Sequence, residues 1–88
     1  MKLPPANVNC TTHHVIKITR KDGLFDDTIG LTFGDVKHRF TETRFYSAHL
    51  AGMGDIGEIF DTFMEQTIPG EYDPQEYADL RYWIRYQI

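Results

Sequence analysis

The apolar residues of this chain change their period partway along it, and that change limits what the chain can fold into. Between His13 and Phe40 they recur mainly at every second position; from Ile56 onward they recur at intervals of three and four. A period of two belongs to a strand with one buried face, and a period near 3.6 to a helix with one buried stripe. Strands followed by helices predict an α+β domain, with a sheet backed by helices. Eighty-eight residues leave room for one such core.

The first strand is expected over residues 13–20, where Val15, Ile16, Ile18 and Thr19 are β-branched and His14, Ile16 and Ile18 share a face. The second is expected over residues 28–33, where Ile29, Leu31 and Phe33 alternate with Thr28, Gly30 and Thr32. Gly34-Asp35 then suits a two-residue type II′ turn, with glycine supplying the positive φ. Val36, His38 and Phe40 would share one face of a third strand, completing a three-stranded antiparallel β-meander with one wet side. On that face His38 reads as a hydrogen-bonded core histidine.

Residues 41–53 fit either a strand or a short helix. Phe45, Tyr46 and Leu50 must pack somewhere, and Gly52 and Gly54 mark a break. Two packed α-helices follow. In the first, Ile56, Ile59, Phe60 and Phe63 fall at i, i+3, i+4 and i+7, with Asp55 as N-cap and Glu58 three residues on. Asp73-Pro74-Gln75-Glu76 starts the second, with an aspartate cap and proline at the first helical position. Its stripe is Tyr77, Leu80, Ile84 and Ile88. Residues 1–12, with Pro4 and Pro5 and no periodicity, are expected to form an extended N-terminal arm, and residues 13–88 a single α+β domain.

Charge is distributed unevenly. Residues 45–80 hold no Lys or Arg, yet carry Asp55, Glu58, Asp61, Glu65, Glu71, Asp73, Glu76 and Asp79; Arg81 and Arg85 follow. On the first helix Asp55, Glu58, Asp61 and Glu65 lie opposite the apolar face, and Glu76 and Asp79 form an i, i+3 pair on the second. Unrelieved carboxylates at these spacings repel one another by about 0.2–0.5 kcal/mol per pair. A helix needing only solubility would alternate signs, so the stripe points to a basic partner, with phosphate mimicry as its natural form. A merely solvated acidic face accounts for the same residues more plainly. Tyr82, Arg85 and Tyr86 have an exposed bearing on the second helix and are of the types that dominate protein interfaces.

Other chemistry has little support. Cys10, His13 and His14 have spacing seen at zinc sites, with His38 and His49 as further ligands, but adjacent strand histidines point to opposite faces. No metal or cofactor is expected. There is no phosphate loop, nucleophile elbow or other catalytic signature, so no enzyme is expected. A single cysteine excludes an internal disulfide, and no run approaches the ~18–20 apolar residues of a membrane span. A cytoplasmic protein without membrane or direct nucleic-acid partners is the expectation, because the carboxylates would repel phosphates.

In its size, its acidic block and its lack of catalytic motifs, the chain resembles the small phage-encoded inhibitors of bacterial defence, the anti-CRISPR and anti-restriction proteins. The resemblance implies stoichiometric inhibition in the host cytoplasm, by occupying a positively charged nucleic-acid site or blocking a subunit interface. The rival expectation is a structural or accessory subunit, such as a homodimer using a sheet edge or the region of Tyr82, Trp83 and Tyr86.

Overall fold

The computed structural model describes residues 12–22 and 25–88. Two strands, β1 (Val15–Asp22) and β2 (Phe25–Thr32), are followed by four helices: α1 (Phe33–Thr41), α2 (Arg44–Leu50), α3 (Ile56–Thr67) and α4 (Pro74–Gln87). The strands pair antiparallel, with Ile16 opposite Leu31 and Ile18 opposite Ile29. Ile16, Ile18 and Leu31 are buried by this register, while Lys17 and Thr28 face out. The free side of β1 is extended by one residue of the α3–α4 link: Thr19 N donates to Glu71 O at 2.9 Å and Glu71 N donates back at 2.8 Å.

The α+β class holds, but the three-stranded meander with two helices does not; there are two strands and four helices. The expected third strand is α1. Thr32 is its N-cap: Thr32 Oγ1 accepts from Asp35 N at 3.0 Å, and Asp35 Oδ2 accepts from Thr32 N at 3.2 Å. This reciprocal pair satisfies two backbone donors at the point where a hairpin turn was expected. Gly34 lacks the positive φ that turn needs. The antiparallel pairing instead runs from Val15 opposite Thr32 to Asp22 opposite Phe25. Phe33, Val36 and Phe40 are all buried. They lie at i, i+3 and i+7, so one helical face takes up what alternation had assigned to two strands. His38 consequently leaves the core: its side chain is 73% exposed and lies 3.0 Å from Glu42, one turn away.

The segment 41–53 contains the short helix α2. Phe45 and Tyr46 pack against the core, but Leu50 does not and remains 67% exposed. The core itself is aromatic at its centre. Phe40 meets Phe60 edge-on at 5.4 Å and Phe63 at 5.1 Å, and Trp83 lies 5.7 Å from Phe33. Each such pair adds about 0.5–1.5 kcal/mol beyond its burial. Residues 1–11 of the expected arm lie outside the described residues. Thr12 is tied to the domain, its carbonyl accepting from Gly34 N at 3.0 Å.

Candidate functional site

Helix α3 carries the acidic side chains, and α4 decides how many of them reach solvent. Asp55 caps α3, its Oδ2 accepting from Gly57 N at 3.0 Å and Glu58 N at 3.3 Å. This uses the positive end of the helix dipole and fixes the carboxylate at the helix entry. Asp55, Glu58 and Glu65 are exposed.

Asp61 is different. Its Oδ1 accepts from Arg81 Nε at 3.0 Å and from the Tyr77 hydroxyl, both on α4. One carboxylate thus fastens α3 to α4 through two donors one helical turn apart. Burial pushes the Tyr77 phenol well above its ordinary range, and the bond to Asp61 adds to the shift. Its own hydrogen bond to Asp61 raises the Arg81 guanidinium, so it stays charged. Tyr72, packed beside Tyr77 at 5.1 Å, is also raised, first by burial and then by Glu65 and Asp61. Arg81 further lies over Gly57, where a Cβ would come 2.6 Å from its Nη2.

The α4 pair points away from open solvent. Glu76 is half-buried and its Oε1 accepts from Lys17 N, satisfying a backbone donor on the free side of β1. Asp79 is 3% exposed and accepts from Gln75 Nε2 at 3.0 Å. Tyr82, Arg85 and Tyr86 lie on the side of α4 away from buried Leu80, Trp83 and Ile84. The rings of Tyr82 and Tyr86 stack at 6.5 Å, Tyr82 half-buried and Tyr86 exposed. Trp83 is wholly buried beneath the Lys37 ammonium, 5.9 Å from the ring centre, and belongs to the core.

The structure therefore gathers Asp55, Glu58 and Glu65 on the exposed side of α3, with Tyr82, Arg85 and Tyr86 on α4. It engages Asp61, Glu76 and Asp79 in contacts within the fold. The Tyr77–Asp61–Arg81 junction went unread in the sequence. Its one signal there is that Arg81 is the first basic residue after Arg44. Also unread was the exposed apolar corner between α2 and α3, where Leu50 and Met53 (76% exposed) stand among Ala51, Gly52 and Gly54.

Among the described residues, no three His, Cys, Asp or Glu side chains gather as a metal-binding group. Cys10 lies outside those residues, and His14 is half-buried with its ring 4.7 Å from that of Phe33. No helix among them is long and apolar enough to cross a membrane. No family model, no curated protein and no solved structure matches the chain.

Proposed function

We propose that this protein is a non-enzymatic, stoichiometric inhibitor that docks the exposed side of α3 on a basic, nucleic-acid-handling protein, in the manner of an anti-CRISPR or anti-restriction protein. The supporting observation is the set Asp55, Glu58 and Glu65, exposed on one helix in a 36-residue stretch without Lys or Arg. Arg81, the nearest basic residue after it, is already engaged by Asp61. Repulsion left standing in the free protein is relieved when Lys or Arg of a partner approaches. Basic grooves of the required extent belong mainly to proteins that bind phosphate backbones.

The test pairs the parent chain with the variant Glu58→Lys/Glu65→Lys, which leaves Asp61 and the α3–α4 junction untouched. Both are used as bait in host lysate, and the retained proteins are identified by mass spectrometry. The parent should retain a nucleic-acid-binding protein that high salt releases and that the variant fails to capture. Equal retention by the two baits refutes the acidic-face mechanism.

A second reading is a homodimer through β2. Among the described residues no strand pairs with the side of β2 away from β1. An open edge of this kind can add a strand from another copy. Light scattering that finds a monomer at high concentration rules it out.

A further inference from the structure

We infer that the corner between α2 and α3, from Leu50 to Glu58, is the anchoring part of the docking surface, and that it seats on an apolar stripe edged by Lys or Arg on a helix of the partner protein. This rests on the reading of a basic protein partner and names the surface by which that partner binds.

The corner is apolar at its tip and acidic at its base. Leu50 and Met53 are 67% and 76% exposed, the two most exposed large apolar residues among those described. Among the described residues, their immediate neighbours in the chain offer no cover. Ala51, Gly52 and Gly54 carry little or no side chain, and a Cβ placed on Gly52 would meet no atom within 4 Å. Asp55 follows Met53 by two residues, and Glu58 lies one turn further on; both are exposed. Arg44 of α2 is held at the other end of α3 by Gln66, with Nη2 to Oε1 at 3.3 Å, and His49, next to Leu50, is half-buried.

The corner's backbone is also tied by hydrogen bonds. Ala51 N donates to Ser47 O, Gly52 N to His49 O and Met53 N to Ala48 O, each at 3.0 Å. Gly52 takes the left-handed conformation, φ 74°, that lets the chain turn out of α2. Asp55 then caps α3. A backbone held in this way loses little freedom on docking, which confines the ordering cost to the Leu50 and Met53 side chains.

Charge complementarity selects the partner's chemistry. An apolar tip bordered by carboxylates fits an apolar stripe bordered by cations. Anionic membrane surfaces and nucleic acids would face Asp55 and Glu58 with like charge.

The test titrates the full chain, labelled with nitrogen-15, with a synthetic Leu/Lys peptide whose helix has one leucine stripe edged by lysines. A scrambled peptide of the same composition and phosphatidylserine vesicles are run beside it. The stripe peptide should bind about tenfold more tightly than the scramble, with amide shifts centred on residues 50–58. Leu50→Ser/Met53→Ser should lose about tenfold in affinity while melting as the parent does, because both side chains are exposed. The inference is overturned if the two peptides bind alike, if the variant binds as the parent, if shifts centre elsewhere, if only vesicles bind, or if nothing binds. Equal binding of both peptides, lost in Glu58→Lys/Glu65→Lys, removes the apolar anchor while leaving the acidic-face reading standing. Failure of that reading appears instead as equal capture by parent and charge-reversed bait.

Discussion

Asp61 on α3 and Arg81 on α4 are joined at 3.0 Å, and the same carboxylate oxygen accepts from Tyr77 one turn earlier on α4. This junction fastens α3, which carries exposed Glu58 and Glu65, to α4. Asp61→Ala should destabilise the fold by about 1–2 kcal/mol, because Tyr77 loses its partner in a half-buried setting. The ion pair contributes the smaller share. Its side chains are 34% and 44% exposed, so a double-mutant cycle with Arg81→Ala should give a coupling below about 1 kcal/mol. Thermal melts of the two single variants and the double variant measure both quantities.

Gly70 is the tightest backbone position in the link to α4. Its φ is 153°, and a Cβ there would lie 2.7 Å from Ile18 Cγ2 and 2.9 Å from the Thr19 carbonyl oxygen. That oxygen takes the bond from Glu71 N. Gly70→Ala should therefore cost about 2 kcal/mol or more, lowering the melting temperature by roughly 8–16 °C. Gly52→Ala also has positive φ but meets no neighbour. It should cost only about 1–2 kcal/mol. Equal melting of the two variants would refute the close approach at Gly70.

The α1 cap confers a pH dependence. Hydrogen bonds from Thr32 hold the Asp35 carboxyl below its ordinary value of 3.8. A folded-state value lowered in this way contributes stability that is fully present above 3.8 and is lost as pH falls through the lower folded value. Asp35→Asn should melt below the parent at neutral pH, and the gap should close on acidification past 3.8. Thr32→Ala removes the other half of the cap and should cost about 1 kcal/mol at neutral pH.

At the alkaline end the sign reverses. Burial and Asp61 raise the Tyr77 phenol above its ordinary 10.0, so its contribution is intact below 10.0 and is lost as pH rises beyond it. Ultraviolet titration of the phenolates should show a late-ionising component that shrinks in Tyr77→Phe, with Tyr72 accounting for what remains. A titration curve of unchanged shape in the variant would refute the assignment.

Much of the fold can be read from neighbouring residues. The Asp55 and Asp73 caps and the apolar stripe of α3 depend on residues within one or two turns of each other. The region from Thr32 to Phe40 misleads because Val36 and Phe40 satisfy both periods at once. The deciding signal is Thr32-x-x-Asp35, a capping box four residues long, which competes with the turn preference of Gly34-Asp35 at the same positions.

The candidate surface is legible only in part. A helical wheel places Asp61 opposite the Ile56, Phe60 and Phe63 face but is silent on what lies beside it. Asp79 shares the bearing of a polar residue, yet it is buried. Leu50 and Met53 show the converse: their apolar character predicts burial, and the helices leave them outside.

The sequence by itself determined the α+β class, the Asp55 and Asp73 helix caps and the absence of Lys and Arg between residues 45 and 80. Those depend on local backbone satisfaction and on composition, which act over a few residues. Only the tertiary structure decided which of the two competing local signals at residues 32–35 prevails, that Asp61 and Glu76 are taken up within the fold, and that, among the described residues, Leu50 and Met53 stay exposed. Those outcomes depend on which element packs beside which, and the α3–α4 junction joins residues 20 apart in the chain.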